Sequence, residues 1–376
     1  MKFNVPSKAF HSAISAVGKV VNSKNALQIL DNFLIELKGD TLTVTAMDVE
    51  NLLSANIEVL DAQGEGSFCM NARRLIELFK EIPDQGVKVE VDERLNVLIS
   101  YAGGQYNFVG IPGIEYPKYE QSRDENENQV EFTALAGQFV KGIENTAFAA
   151  STDDYSAALT GILFDVKPDS ITFVATDSRK LVRYINRERR PGVTAQCIVG
   201  PKPASILKNV FNADEEVEVK MTSKSATFKN SKFTFNCRFI VGNFPPYNRV
   251  IPKNNNFILT VDRATMLNSV RRIGLFVDPG YGLEKFNITP DKMTIKSEDN
   301  NLMTSAREEI PCSYTGENLI IGFKSSHMTE ILNVLKSDDI NIYLSDASRP
   351  GIFRPTEEDD TSEMLILLVP MTVGKF

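Results

Sequence analysis

The sequence predicts an α+β protein made of three copies of one module, each with the order (βαβββ)×2 and with two helices packed on antiparallel sheet. A repeated phrase is the main observation: DTLTVTAMD at 40–48 returns as DSITFVATD at 169–177 and, more faintly, as DKMTIKSED at 291–299. The starts of the copies, MKFNVPSKAF, VEFTALAGQF and FILTVDRATM, recur at nearly the same steps. At roughly 125 residues, a copy is too long for a solenoid repeat and large enough to be a domain.

We therefore expect three domains, with the limits 1–124, 125–250 and 251–376. A chain of 376 residues is too long for one ordinary core, which agrees with two or three domains. The stretch NFPPYNRVIP at 243–252, rich in proline and aromatic residues, joins modules two and three. Taken alone, it is equally compatible with an ordinary linker.

The first half of module one shows how the elements are predicted. FNV alternates at the start and predicts a strand. A helix follows over 7–22, because from Phe10 onward apolar residues recur at spacings of four, three and four on one face, and Ser7 is the expected N-cap. NFLIELKGDTLTVTA alternates on both sides of a turn at 39–40 and predicts a hairpin, with NLLSANIEVL as the next strand.

The order then restarts in the second half of the module, with the strand SFCM, a helix over 71–82 and the strands VKVEVD, NVLISYA and GQYNFVGI. Helices of the other two modules are expected over 134–150, 201–211, 262–277 and 324–337. Short sequential strands favour antiparallel pairing, with both helices of a module on one face of the sheet.

Each repeated phrase closes on an aspartate: Asp48, Asp177 or Asp299. Aspartate at the end of a strand commonly forms a turn by accepting hydrogen bonds from the backbone beyond it. A set of catalytic carboxylates is the alternative, but each aspartate sits at the same place in its own domain, which would hold the three far apart. We therefore interpret them as turn formers.

Charge is distributed unevenly between the helices and the rest of the chain. The net charge of −8 argues against nucleic acid only if it is spread evenly. The predicted helical segments carry 13 basic and five acidic residues, so they hold +8 and the remainder holds −16. Because a solvated helix face normally mixes both signs, this excess predicts a shared basic surface formed by the helices. Lysines that merely decorate solvated faces are the alternative.

Nothing in the sequence indicates catalysis, a metal site or a cofactor. The two histidines, His11 and His327, fall in predicted helices without a motif around them, which leaves no Ser-His-Asp or Cys-His arrangement. Neither a G-x-x-x-x-G-K-[ST] loop nor a G-x-G-x-x-G turn after a strand is present. The acidic run EEDD at 357–360 has ligands for a divalent cation, but such a run is more typical of a solvated turn.

The cysteines and the N-terminus favour a cytoplasmic protein. The cysteines form no C-x-x-C pair, as expected of reduced, buried thiols in the cytosol. They are Cys69, Cys197, Cys237 and Cys312. The N-terminus lacks the apolar stretch of a signal peptide, and the longest apolar run, at 364–371, is far too short to span a bilayer. We expect no membrane partner.

Several stretches together resemble the bacterial sliding clamp family, the β subunits of DNA polymerase III. The resemblance covers the whole chain, and the order and spacing of its pieces make it specific. The pieces are the opening MKF-V with its helix, LQILDNFLIEL at 27–37, VATDSRKL at 174–181, FPPYNRVIP at 244–252 and VPM at 369–371.

The resemblance implies a fold and a function. In the family, each chain has three DNA-clamp domains, and a head-to-tail dimer forms a six-domain ring whose helices line the hole. The function implied is that of a non-catalytic processivity factor, which encircles double-stranded DNA without regard to sequence and tethers the replicative polymerase. A basic inner wall and an acidic outer face would account for the uneven charge.

Three sets of residues match functional positions of the family. The partner-peptide pocket between modules two and three is expected to be lined by Leu159, Thr176, Ser178, Leu181, Pro245, Tyr247, Arg249, Val250, Leu367, Val369, Pro370 and Met371. The residues facing DNA are expected to be Lys24, Arg73, Lys202 and Arg271. The dimer interface is expected to include Arg74, Tyr106, Phe108, Arg272, Ile273, Glu308 and Glu309. In it, the two aromatic residues would meet Ile273 of the other chain, and Arg74 would face the two glutamates.

The pocket implies partners that carry a short extended peptide with apolar anchors. In the family these are the DNA polymerase III catalytic subunit, the clamp loader, repair polymerases and other proteins with a clamp-binding motif. Aliphatic walls and a flexible methionine suit many related peptides. Ser178 stands where a glycine is common in the family. A non-ring protein-interaction scaffold that uses the same pocket, and an enzyme that uses the acidic run, are the alternatives to a clamp.

Overall fold

The structure is a computed structural model that describes residues 1–119, 129–153, 155–278, 280–299 and 301–373. It contains three modules with the predicted alternation of strands and helices. The expected domain limit between residues 124 and 125 lies outside the described residues. None of the described helices is long and apolar enough to cross a membrane.

Module one contains each predicted strand and helix, with short additional strands. Its elements are β1 (Lys2–Pro6), α1 (Ser7–Val17), β2 (Asn32–Lys38), β3 (Thr41–Met47), β4 (Asn51–Glu58), β5 (Leu60–Gln63), β6 (Gly66–Asn71), α2 (Ala72–Glu81), β7 (Gly86–Val91), β8 (Asn96–Tyr101), β9 (Gly104–Val109) and β10 (Ile111–Pro112).

Modules two and three repeat this order. Module two consists of β11 (Val130–Leu135), α3 (Ala136–Thr146), β12 (Ile162–Lys167), β13 (Ser170–Thr176), β14 (Lys180–Asn186), β15 (Ala195–Val199), α4 (Pro201–Val210), β16 (Glu216–Met221), β17 (Ser225–Lys229) and β18 (Phe233–Arg238). Module three consists of β19 (Phe257–Asp262), α5 (Arg263–Ile273), β20 (Leu283–Ile288), β21 (Lys292–Asp299), β22 (Thr304–Pro311), β23 (Ser313–Tyr314), β24 (Leu319–Lys324), α6 (Ser325–Val334), β25 (Asp339–Leu344), β26 (Gly351–Pro355) and β27 (Ser362–Leu368).

The predicted helices are present but shorter than expected, because the first helix of each module passes into a 3₁₀ turn. After α1 this turn covers Gly18–Val20. The expectation that Ser7 caps α1 was wrong: Ser7 is the first helical residue and makes no capping bond. Its hydroxyl instead donates to Pro83 O at 2.8 Å and accepts from Gln85 N–H at 3.1 Å, which ties the helix start to the loop before β7.

The described strands form four antiparallel sheets, and two of these cross from one module to the next. The first nine-stranded sheet has the order β10-β6-β2-β3-β4-β18-β17-β16-β11, and the second has the order β15-β12-β13-β14-β27-β26-β25-β19-β23. Each joins five strands of an outer module to four strands of module two. The other two sheets have five strands, β5-β1-β7-β8-β9, and four strands, β22-β21-β20-β24.

The chain divides into two compact units, each containing one nine-stranded sheet and one smaller sheet. Unit 1 comprises Met1–Val140 and Lys202–Phe239, and unit 2 comprises Lys141–Pro201 and Ile240–Phe376. The two halves of module two therefore belong to different units. The five-stranded sheet lies in unit 1 and the four-stranded sheet in unit 2.

Within each unit, two modules join through a pair of antiparallel strands. In unit 1, β4 pairs with β18 and places Leu53 opposite Phe235. In unit 2, β14 pairs with β27 and places Leu181 opposite Leu367. All four side chains are buried, so apolar contacts fix the register of both joints.

The helices pack closely on one another and on the sheets. In unit 1, Phe10 of α1 meets Phe79 of α2 edge to face, with ring centroids 4.6 Å apart. In unit 2, Gly142 of α3 lies so near Phe173 of β13 that an added Cβ would come within 2.4 Å of the ring. A glycine is therefore required for the approach of this helix to the sheet.

Each of the three repeated aspartates ends a strand and forms the turn that follows. The Oδ1 atoms of Asp48, Asp177 and Asp299 accept hydrogen bonds from the backbone N–H groups two and three residues further on, at 2.7 to 3.0 Å. The interpretation of these residues as turn formers is confirmed.

Module three carries a buried glutamic acid in its core. Glu284 of β20 is opposite Phe323, two residues before α6 begins. The equivalent positions of modules one and two, defined by the same pairing, hold Phe33 and Ile162. Glu284 is fully buried, and neither of its carboxyl oxygens has a hydrogen-bond partner among the described residues. This burial raises its pKa to about 8. An acid thus stands where the other modules have an apolar residue.

Candidate functional site

One apolar cluster in unit 2 gathers side chains from the β13–β14 hairpin, the segment before β19, and the last two strands. Its buried members are Ala158, Leu163, Val174, Leu181, Ile198, Tyr247, Ile352, Leu365 and Leu367. Its partly exposed members are Ile240, Phe244, Ile251, Tyr343 and Val369. The partly exposed members give the cluster an apolar surface in contact with solvent, as a site for apolar anchors requires.

Four of the predicted pocket residues belong to this cluster: Leu181, Tyr247, Leu367 and Val369. A fifth, Leu159, directly follows the cluster residue Ala158 in a short 3₁₀ helix. The pairing of β14 with β27 accounts for the meeting of residues so distant in the chain, because it places Leu181 opposite Leu367.

Tyr247 is held in the cluster by a polar contact. Its hydroxyl donates to Asp165 Oδ2 at 2.9 Å. Burial, followed by the charge of Asp165, raises the pKa of Tyr247 to about 12, so the hydroxyl remains a neutral donor. The bond fixes the ring within the apolar surface.

The turn after β13 forms a polar edge of the cluster. Thr176 Oγ1 donates to Lys180 O at 2.7 Å and accepts from Ser178 N–H at 3.1 Å. Ser178 has a φ of +70°, in the left-handed region that glycine adopts without strain. This conformation explains why a glycine suits the position, and why Ser178 carries strain there.

Ion pairs order the same turn. Lys180 Nζ lies 2.7 Å from Asp177 Oδ2 and 3.1 Å from Glu330 Oε2 of α6. Burial alone would raise the pKa of Asp177, but hydrogen bonds from Lys180 and from two backbone N–H groups hold it below its usual value. His327 Nε2 is 3.9 Å from Asp177 Oδ2. Burial and then Lys180 lower the pKa of His327, so the imidazole is neutral at pH 7.

The remaining predicted pocket residues are not gathered into the cluster. Pro245, Arg249 and Val250 are exposed, and Pro370 and Met371 are partly exposed. The backbone of the last segment is nevertheless anchored, because Val369 N–H donates to the carbonyl of residue 179 at 2.9 Å and Met371 N–H to that of residue 322 at 2.8 Å. The segment therefore runs from the end of β27 to the edge of β24.

Sequence reasoning missed several members of the cluster. Phe244 and Ile251 lie in the stretch FPPYNRVIP, so the proline-aromatic pattern was a usable signal for them. Ile352 belongs to the cluster because the register of β26 and β27 places it opposite Leu367. Nothing in the spacing of the sequence fixes that register.

The residues predicted to face DNA differ in how freely they reach solvent. Lys24 is exposed. Arg271 donates to Asn333 Oδ1 at 2.8 Å on the surface. Arg73 is paired with Glu77 at 2.9 Å, and both side chains are largely exposed.

Lys202, the fourth residue expected to face DNA, is bound within unit 1. Its amine donates to Val20 O and Asn22 Oδ1 at 2.5 Å each, and to Asp48 Oδ2 at 2.6 Å. All three acceptors belong to module one, so Lys202 connects the two modules of unit 1. Its side chain is 33% exposed, so a contact with a phosphate would have to compete with these three acceptors.

The role expected of Ile273 needs correction. Ile273 is 1% exposed and belongs to the core, so it cannot meet another chain. The apolar residues that reach solvent at this place are Leu275 (82% exposed) and Phe276 (39% exposed), in the 3₁₀ turn after α5.

Of the other predicted interface residues, Arg74 is exposed on α2 and Arg272 lies on α5. The remaining four lie on two strands at sheet edges. On β9, Tyr106 and Phe108 are partly exposed, and Tyr106 stacks on Tyr101 with centroids 6.2 Å apart. On β22, Glu308 accepts two hydrogen bonds from Arg272, at 2.7 and 2.6 Å.

Neither glutamate on β22 is a free carboxylate. Arg272 and Glu308 each stabilise the charged form of the other. Their hydrogen bonds raise the pKa of the arginine and lower that of the glutamate. Glu309 is 2.7 Å from Arg307 and 3.4 Å from Lys292. A contact with Arg74 of another chain would therefore have to compete with these pairs.

Among the described residues, no three His, Cys, Asp or Glu side chains are grouped closely enough to hold a metal ion. The acidic run at 357–360 lies within the described part of the chain and forms no such group.

Family models match nearly the whole chain in consecutive order. They describe the DNA polymerase III beta subunit: its N-terminal domain at residues 1–120, its central domain at 135–246 and its C-terminal domain at 248–370.

Proteins named beta sliding clamp are similar along their full length. That of Pseudomonas aeruginosa is 23% identical over 369 residues, which covers 97% of this chain and 99% of that one. That of Staphylococcus epidermidis is 23% identical over 377 residues, with 97% and 98% covered.

Solved structures of sliding clamps share the fold. The clamp of Pseudomonas aeruginosa bound to griselimycin aligns with a TM-score of 0.92 at 24% identity, covering 99% of this chain and 100% of that chain. The clamp of Bartonella birtlesii, also bound to griselimycin, aligns with a TM-score of 0.90 at 25% identity and the same coverage.

Proposed function

We propose that this chain, which belongs to the DNA polymerase III beta subunit family, closes as a head-to-tail homodimer around duplex DNA and holds the replicative polymerase there. It is a sliding clamp and a non-catalytic processivity factor. The observation that supports the dimer is the pair of smaller sheets, which have β9 as an edge strand in unit 1 and β22 as an edge strand in unit 2.

The strand numbers support this closure. Each nine-stranded sheet combines five strands of an outer module with four strands of module two. A second copy would combine the five-stranded sheet of module one with the four-stranded sheet of module three, and so produce a third nine-stranded sheet. Pairing of the two edges also removes exposed strand edges, which otherwise favour uncontrolled association.

The existing joints suggest the register of the new one. Ala306 of β22 is the equivalent of Leu53 of β4, because Leu53 is paired with Ala46 in its own hairpin and Ala306 with Ser297. In the same way, Tyr106 of β9 is the equivalent of Phe235 of β18, because Phe235 is paired with Phe228 and Tyr106 with Ile99. Since Leu53 pairs with Phe235, Ala306 of one copy should lie opposite Tyr106 of the other.

A ring explains how weak DNA contacts give long residence. Non-specific DNA binding has a dissociation constant on the order of 10⁻⁵ M at physiological salt. With an association rate of about 10⁷ M⁻¹s⁻¹, a simple binder would leave on the order of 100 times per second. Closure replaces affinity by topology, so that basic residues such as Lys24 and Arg271 need only make brief phosphate contacts. Such contacts carry no base information, and sliding is independent of sequence.

The apolar cluster of unit 2 is proposed to bind partner peptides. An extended peptide would place apolar anchors against Tyr247, Val369 and the partly exposed members around them. The DNA polymerase III catalytic subunit, the clamp loader and repair polymerases are the partners proposed for it. We place the protein in the cytoplasm with the DNA it serves, and take the domain limits as 1–124, 125–250 and 251–376.

Topological binding is tested by cutting the DNA. Protein loaded onto nicked circular DNA by a clamp loader should remain bound during gel filtration at high salt, and should be lost once a restriction enzyme linearises the circle. Loss from the intact circle, with peptide binding retained, would contradict the ring and leave a protein-interaction scaffold.

A further inference from the structure

In both existing joints, the turn that follows the repeated aspartate contacts the second helix of the next module. In unit 1, Asp48 Oδ2 lies 2.6 Å from Lys202 Nζ in the first turn of α4. In unit 2, Lys180 Nζ lies 3.1 Å from Glu330 Oε2 of α6. The turn and the helix are therefore paired features of a module joint.

The corresponding turn of module three differs from the other two. The turn between β13 and β14 has four residues between the paired Thr176 and Leu181. The matching pair in module three, Glu298 and Ser305, encloses six. The longer turn carries two exposed apolar side chains, Leu302 at 68% and Met303 at 91%.

Backbone geometry makes this apolar tip unusual. Met303 has a φ of +53°, in the left-handed region that residues other than glycine, asparagine and aspartate rarely adopt. Strain of this kind persists where the surrounding structure or a function maintains it. Glycine or asparagine is the usual residue in a solvated turn of this conformation, so an exposed methionine here is consistent with a contact outside its own fold.

Helices α4 and α6 each contact such a turn within the chain, whereas α2 belongs to the first module and has no module before it. A groove lies beside α2. The cavity beside α2 has a volume of about 540 Å³ and is lined by Gly18, Val21, Ala72 and Ile76 among others. Charged residues border it, including Arg73 and Glu77. An apolar floor with a polar rim is the usual anatomy of a protein–protein contact.

We propose that Leu302 and Met303 of one copy enter the α2 groove of a second copy, so that the third joint of the ring is apolar where the other two are ionic. This contact rests on the proposed head-to-tail dimer. In that ring, module three of one chain precedes module one of the other chain, so its turn would contact α2. The flexible methionine side chain can fit an irregular groove. The aliphatic wall of Ile76 and Val21 is the surface it would cover.

Substitution at the tip separates folding from association. Met303→Gly removes the side chain and suits the positive φ, so the free energy of unfolding should stay equal or rise. Combined with Leu302→Ser, it should weaken the dimer by about tenfold or more in sedimentation equilibrium, as expected when central apolar contacts are lost. Val49→Ser is the matched control, because Val49 is 75% exposed in the equivalent turn of module one; it should leave dimer affinity unchanged.

Cross-linking tests the contact directly. In a Cys312→Ser background, Met303→Cys together with Ile76→Cys should form a covalent dimer under mild oxidation, since a disulfide needs Cα atoms within about 7 Å. Each single cysteine variant should stay uncoupled. A wild-type dimer whose affinity is unchanged by the tip substitutions and which forms no cross-link would overturn the inference but leave the clamp intact. A wild-type chain that stays monomeric would overturn the proposed ring itself, and this contact with it.

Discussion

Lys202 Nζ lies 2.6 Å from Asp48 Oδ2, and this pair joins the first turn of α4 to the turn that ends β3. The same amine also donates to Val20 O and Asn22 Oδ1. Asp48 itself is 5% exposed. A positive charge that looks available in the sequence is therefore a structural connection between modules one and two.

Lys202→Ala should destabilise the protein by about 1–3 kcal/mol, because it removes the cation paired with the buried carboxylate of Asp48 and the donor to the backbone carbonyl of Val20. Urea unfolding at pH 7 would measure this free energy. Lys24→Ala is the matched control, since Lys24 is exposed and its removal should leave stability within about 0.5 kcal/mol. Equal stability of the two variants would mean that Lys202 does not hold the joint.

The contrast between these two lysines shows what sequence analysis could predict. The repeat, its periodicities and its turn residues define the three modules, because each depends on neighbours within a few residues. The partner of Lys202 lies 154 positions away in the chain, and only the pairing of β4 with β18 brings the two modules together. A basic residue on a predicted helix therefore gives no sign of whether it faces solvent or a buried acid.

The error at Ile273 has a similar cause. The interface role of Ile273 was expected from the family pattern, which does not show where the α-helix ends: α5 ends at Ile273 and continues as the 3₁₀ turn Gly274–Phe276. The change of helix type rotates Leu275 outward and leaves Ile273 in the core. Of the pocket, the sequence identified Leu181, Tyr247 and Leu367 through the family pattern, whereas Ile352 depended on strand register.

Met371→Ala should weaken peptide binding without affecting the fold. The backbone N–H bond of Met371 survives the substitution, and the side chain is only partly buried. We expect about tenfold lower affinity, or roughly 1.4 kcal/mol, for a fluorescent peptide with leucine and phenylalanine anchors, measured by anisotropy.

Leu181→Ala, by contrast, would confuse binding with folding. Leu181 is 3% exposed in the cluster, and truncation of a buried leucine costs about 2–5 kcal/mol of stability. Met303→Ala is the better control for the methionine test, because it removes an exposed thioether elsewhere. Unchanged peptide affinity in Met371→Ala would remove this residue from the pocket.

Tyr106→Ala combined with Phe108→Ala should shift the dimer toward monomer. Both side chains are partly exposed on β9, the edge proposed to pair with β22. Loss of two aromatic side chains from an interface should weaken association by about 100-fold or more, which sedimentation velocity across a concentration series would detect. Tyr155→Ala serves as control, because that tyrosine is 99% exposed and belongs to neither edge strand. A double variant that dimerises like the control would place the interface elsewhere.

Glu284 should make stability fall as pH rises. Its pKa in the folded protein is about 8 against an ordinary value of 4.5, so between these values the folded chain retains a proton that the unfolded chain releases. The free energy of unfolding therefore decreases with pH across this window, by up to about 1.4 kcal/mol per pH unit. Below pH 4.5 and above pH 8 this contribution becomes constant.

Glu284→Gln removes the titration while keeping the size of the side chain, so its advantage over the wild type should grow steadily from pH 5 to pH 8. Urea unfolding of both proteins at each pH isolates the effect, because other groups that titrate here, such as His327 with its lowered pKa, are common to both. Glu284→Leu, which resembles the apolar residues of modules one and two, should show the same pH dependence as the glutamine variant. Parallel stability curves for wild type and Glu284→Gln would show that Glu284 is ionised in the folded protein at neutral pH, with a charge partner or water in the core of module three.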